Sequence, residues 1–174
     1  MPNASFKLNG QEVFSEASGV ISVGAGFPAG VIIDVELYDE TTSSGALTAT
    51  AGFGTQRSIT LNSGQKVLIN IFGGALENRE DSPSTLFAAV QYDTSTLTST
   101  SGSFKNGSTA FIDIRAAGGG SQHRIQVGAG AKLLYTAVSN LTLYFRPAVV
   151  VSSGSCNWRS DTNKPIQLAV YKIQ

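Results

Sequence analysis

The stretch Ile59-Thr-Leu-Asn-Ser-Gly-Gln-Lys-Val-Leu-Ile-Asn-Ile71 decides the fold class. Val67, Ile69 and Ile71 fall at every second position, while Lys66, Asn70 and Phe72 point the other way. Successive side chains of a strand face opposite sides, so a period of two with one apolar face marks a half-buried strand. Asn62-Ser-Gly64 separates two such runs and reads as a short hairpin turn. The pattern returns near the C-terminus, where Leu141, Leu143 and Phe145 alternate with Thr142, Tyr144 and Arg146.

Working outward, further strands read near Gly19–Val23, Val31–Leu37, Leu47–Ala51, Leu86–Tyr92, Ala110–Arg115, His123–Val127, Lys132–Thr136, Ala148–Val151 and Ile166–Ile173. Gly26–Gly30, Gly118–Gly120 and Gly128–Gly130 punctuate them. Helix is nearly absent; Ala75–Arg79 is the best candidate, at barely one turn. Asn78–Ser84 and Thr94–Ser103 are expected as exposed loops. Short strands with turn signals every ~8–12 residues predict an all-β sandwich or barrel. We expect one sandwich domain over residues 19–174, preceded at 1–18 by an N-terminal arm or a first pair of edge strands.

At 174 residues the chain suits a single core. Charged residues make up only 14%, against about 25% in a typical domain. Twelve basic residues balance twelve acidic ones, which gives no electrostatic footprint for nucleic acid. Low charge also leaves little self-repulsion, which favours association between copies. No run approaches the ~18 apolar residues of a membrane-spanning helix, and no membrane partner is expected. Residues 1–14 lack the basic and apolar regions of a secretion signal.

Reactive chemistry is sparse. Cys156 is the only cysteine, so no intrachain disulfide is possible and a buried thiol is expected. His123 is the only histidine, on a predicted strand beside a Gly-rich turn, with no Gly-x-Ser-x-Gly elbow in the chain. One His and one Cys far apart do not make a zinc site, and the acidic clusters do not match a calcium loop. Asp34 and Glu36 share a strand face, but the aromatic platforms usual in glycoside-hydrolase clefts are few. We therefore expect no enzyme, and no catalytic, cofactor-binding or metal residue.

Three surfaces stand out instead. The closing strand Ile166–Ile173 is apolar on both faces near its centre, which suits a central strand or one buried at a subunit contact. Its candidate assembly residues are Ile166, Leu168, Val170, Tyr171 and Ile173. The segment Ser155–Lys164 packs a Trp, two cations, an acid and several amides into one expected loop. Trp158, Arg159, Asp161 and Asn163 there fit a plug folded onto the barrel, a protein contact or a glycan site. Phe6, Leu8, Val13 and Phe14 are candidate anchors in the N-terminal segment.

Phe27–Val35, Ile59–Ile71 and Ile166–Ile173 together resemble small Ser/Thr-rich jelly-roll proteins of tailed phages, of the capsid-decoration or fibre-head type. The resemblance implies a jelly-roll-like sandwich that trimerises about a threefold axis, with the closing strand near the shared interface. It implies a virion location and, as partners, the chain itself (a homotrimer) and a major capsid protein or other virion protein. The self-contained length fits a decoration or cement protein, with residues 1–18 as a docking arm. The alternative is a fibre or adhesin head that binds a host receptor or glycan through the Trp158 loop.

Overall fold

The computed structural model describes residues 4–8, 10–17, 20–23, 30–78, 84–106, 112–114 and 127–174. They contain fourteen strands and no helix. The expected strand at His123–Val127 lies outside the described residues except for Val127, as do the charge-rich segment 79–83 and the glycines at 118–120.

Three strands stand apart. β1 (Ala4–Leu8), β2 (Gln11–Ala17) and β3 (Val20–Val23) form an antiparallel meander, and none of them pairs with the larger sheets. The third strand runs past residue 18, so the segment is a small sheet of its own.

The other strands are β4 (Ile32–Glu40), β5 (Ala51–Gly52), β6 (Arg57–Leu61), β7 (Lys66–Asn78), β8 (Ser84–Asp93), β9 (Ser103–Asn106), β10 (Ile112–Ile114), β11 (Val127–Thr136), β12 (Leu141–Ser153), β13 (Cys156–Arg159) and β14 (Ile166–Ile173). One sheet has the order β11-β7-β14-β4, with β13 in line with β14 beside β7. The second places β8 and β12 at its centre, β9 and β10 end to end beside β8, and β5 and β6 end to end beside β12. The first half of the chain thus pairs in reverse order with the second: β4 with β14, β6 with β12, β7 with β11, and β8 with β9 and β10. A long antiparallel hairpin rolled in this way is a jelly roll, and all the pairs are antiparallel.

The core lies between the sheets. Val67, Ile69, Ile71 and Leu133 from the first meet Leu61, Leu86, Val90, Leu143 and Phe145 from the second. The alternation read from the sequence therefore points the right residues inward, and burying such side chains at about 25 cal/mol per Å² of apolar surface is the main force holding the layers together.

Asn62-Ser-Gly64 does form a tight turn, with Gly64 at φ +86° and Gln65 N–H donating to Asn62 O at 3.0 Å. It is not a hairpin, because β6 enters one sheet and β7 the other. β7 also continues through the expected helical turn at Ala75, and β11 runs through Gly128 and Gly130. Two predicted strands fuse into β12 across Pro147. The Pro147 carbonyl accepts from Phe53 N–H (3.0 Å), so the missing proline N–H faces the break between β5 and β6, where no ladder partner is needed.

Candidate functional site

The closing strand divides its residues between two environments. Ile166, Leu168 and Val170 point inward and are at most 2% exposed. They are core residues, which corrects their assignment to a subunit contact: β14 is paired on both sides and spends that face on its own sandwich. Tyr171 and Ile173 point outward and are half-buried.

The outward face of this sheet is apolar where a solvated sheet face would be polar. Cross-strand register places Leu134, Leu68, Tyr171 and Val35 in one row, and Lys132, Asn70, Ala169 and Leu37 in the next. Leu37 is 74% exposed, Leu134 63% and Val35 49%. Ile32 and Phe72 extend the patch at opposite ends of the strands. Between Leu37 and Phe72, over Ala169, lies a depression of about 150 Å³.

Trp158 belongs to β13 and is fully buried, so it cannot stack on a sugar or anchor an external contact. It is the plug: its Nε1–H donates to Gly73 O at 3.0 Å, and its ring meets Phe53 edge-on at 5.8 Å. β13 and β14 run along β7 as one interrupted strand, and residues 160–165 loop out between them. Gly73 and Gly74 make this possible at φ +93° and +61°. A Cβ on Gly74 would lie 2.5 Å from Arg159 O and 2.9 Å from Trp158 Nε1. A Gly-Gly pair inside a strand run is the sequence signal for such an irregularity.

The rest of that segment is structural or exposed. Arg159 pairs with Glu77 at 2.7 Å. Asp161 accepts from the N–H groups of Asn163 (2.8 Å) and Lys164 (2.9 Å), closing the turn, and both Asp161 and Asn163 are exposed. In the N-terminal sheet Phe6 is 58% exposed and Val13 is buried; Phe6 pairs in register with Phe14. The side chains of Leu8 and Phe14, and all of His123, lie outside the described residues.

Cys156 is buried, and burial pushes its thiol up to about 12. Burial also disfavours the Glu40 carboxylate, but the N–H groups of Thr55 (2.6 Å) and Thr42 (2.9 Å) outweigh it and hold its pKa below the ordinary value. Gly54, at φ +69°, lets the backbone approach this carboxylate. The segment Thr94–Ser103 is a largely exposed loop, as expected, and it is pinned to the sheet at two points. Buried Gln91 donates to Thr98 O (2.8 Å) and Ser101 O and accepts from Arg146 Nε (2.6 Å), and Leu97 is buried beneath the loop. Among the described residues no group of three or more His, Cys, Asp or Glu is placed to hold a metal ion. A second depression of about 150 Å³ between β8 and β11 is lined by Tyr92, Asp93, Thr94, Ser103, Tyr135 and Leu143. The two tyrosines meet edge-on there at 6.2 Å.

Fold and surface together define an antiparallel jelly-roll sandwich with an apolar outer sheet face. No family model and no curated protein sequence matches the chain. Among solved structures, it is similar to a chain of the "Structure of infectious bursal disease virus Gx strain" at 10% identity and a TM-score of 0.37. That alignment covers 99% of this chain and 48% of the other, so the chain spans about half the length of that relative. The jelly-roll assignment rests on the strand order given above.

Proposed function

We propose that the chain is a non-enzymatic structural protein of a virion, a homotrimer that decorates or cements a phage capsid. The observation that carries this reading is the uncovered apolar face of the β11-β7-β14-β4 sheet. A sheet face meant for water carries polar side chains, and a large exposed apolar patch marks an interaction surface. The resemblance to phage jelly-roll proteins supports the virion setting: its stretches fall on β4, on β6 and β7, and on β14, and β4, β14 and β7 are adjacent in that one sheet. Low charge and a core built from aliphatic and aromatic side chains fit a scaffold. Light scattering on purified protein tests the assembly. A species of three times the 18.1 kDa chain mass is expected, and a monomer at micromolar concentration overturns it. Co-sedimentation with isolated capsids tests the partner.

A second reading, a receptor- or glycan-binding head, is favoured by the Tyr92–Tyr135 depression rather than by Trp158, because paired aromatic rings beside Asp93 and Ser103 suit a sugar. A glycan array read on intact trimers separates the two: specific signal favours the head, and silence removes it.

A further inference from the structure

We propose that the depression between β8 and β11 binds a single neutral sugar ring and that Asp93 keeps acidic sugars out of it. This rests on the glycan reading above, and it fixes the size and the charge of the sugar.

Three observations carry it. The first is placement. Residues paired directly across strands share a face, and Tyr92 pairs with Phe145 and Tyr135 with Val67, both core residues. The two rings therefore point between the sheets and close one end of the core beside Leu143. Both are half-buried, while Thr94 and Ser103 stand exposed at the rim. The open end of a closed β structure is a preferred place for a small-molecule site. The second is the chemistry of the lining. The rings meet at 68°, so one can lie flat against the apolar C–H face of a sugar while the other closes its edge. Asp93 Oδ1 accepts from the N–H groups of Thr94 (2.6 Å) and Ser95 (3.1 Å). That orients the carboxylate and leaves Oδ2 to accept from sugar hydroxyls. The hydroxyls of Tyr92, Tyr135, Thr94 and Ser103 have no hydrogen-bond partner among the described residues. A sugar ring supplies the matching set, hydroxyls that donate and accept around an apolar face. The third is size and charge. At about 150 Å³ the depression is smaller than the ~300 Å³ at which drug-sized pockets begin, so it takes one ring and not an extended chain. Among the described residues Asp93 is the only charged group lining it. A carboxylate on the sugar meets like charge there with no cation to offset it.

The chemistry sets the test. The full chain is titrated with methyl glucoside, methyl galactoside and methyl N-acetylglucosaminide as neutral probes, glucuronic and N-acetylneuraminic acids as acidic ones, and choline as a cation. Saturation-transfer difference NMR reads binding, and thermal unfolding is the fold control. The expected result is titratable binding of at least one neutral sugar, with the acidic sugars at least about tenfold weaker. Ser103→Trp fills the depression and abolishes binding; Ser103 is exposed, so the core stays intact, and Thr94→Trp at the opposite rim repeats the block independently. Asp93→Asn keeps an acceptor for the turn N–H groups but loses the charge. It is expected to weaken neutral-sugar binding about fivefold and to narrow the gap to the acidic sugars, because charged acceptors make bonds roughly twice as strong as neutral ones. Neutral-sugar binding unchanged in all three variants overturns this site while the glycan reading stands. Acidic sugars that bind as tightly as neutral ones overturn the assigned charge. Choline binding with the sugars silent overturns the sugar in favour of a cation held by the two rings and Asp93. Silence from every probe overturns the site, and a silent glycan array on intact trimers removes the reading beneath it.

Discussion

Replacing Trp158 with Ala separates a plug from a contact residue. Trp158 is fully buried, packs edge-on against Phe53 and gives its Nε1–H to Gly73 O. Truncating a buried Trp to Ala costs about 3–5 kcal/mol, because apolar contacts are lost and the surroundings fill the hole only in part. The Gly73 carbonyl also loses its donor, worth about 1 kcal/mol, which puts the cost towards the upper end of that range. Urea unfolding followed by tryptophan-independent circular dichroism reads the change. With a slope of about 2 kcal/mol per molar urea, the midpoint falls by about 2 M. Trp158→Phe keeps an aromatic ring against Phe53 but gives up the hydrogen bond, and is expected to cost about 1–2 kcal/mol. A Trp158→Ala loss below about 1 kcal/mol, with binding to a partner abolished, would refute the core placement and return Trp158 to the surface.

Gly74→Ala forces a side chain onto φ +61° and towards Arg159 O, so a loss of about 1–3 kcal/mol is expected by the same unfolding assay. Glu40→Gln is expected to cost about 1–2 kcal/mol at neutral pH. Because the folded pKa of Glu40 is depressed, its contribution is present above the unfolded value of about 4.3 and lost as pH falls through the lower folded value. The gap between wild type and variant should therefore close below about pH 4, read as melting temperature against pH. Cys156, buried with its pKa raised to about 12, should react with a thiol-specific reagent only after denaturation.

The strands were legible in the sequence because each has one face in water or at a boundary and one in the core, and alternation records that difference. Their partners were not. Ile59–Ile71 carries the same signal whether its two strands pair as a hairpin or face each other across the core, since both put Ile59, Leu61, Val67 and Ile69 inside. Only the pairing of β6 with β12, and of β7 with β11 and β14, decides it, and those contacts span most of the chain. β13 is not legible in the sequence for a local reason: Cys156-Asn-Trp-Arg159 is short, polar at two positions and set beside turn residues. The informative residues lay elsewhere, at Gly73 and Gly74 on the strand opposite. The closing strand is apolar on both faces near its centre, as its sequence indicates, but only the outward set containing Tyr171 and Ile173 remains for a partner. The other residues of that patch, Val35, Leu37 and Leu134, sit on strands whose meeting depends on the roll of the whole chain.

Gold-labelled antibody against this chain, imaged on purified particles of a virus that encodes it, tests the central claim most directly. The account predicts label spread over the shell at regular intervals. Label confined to fibre tips would favour the receptor-binding alternative, and particles free of label would contradict a virion structural role.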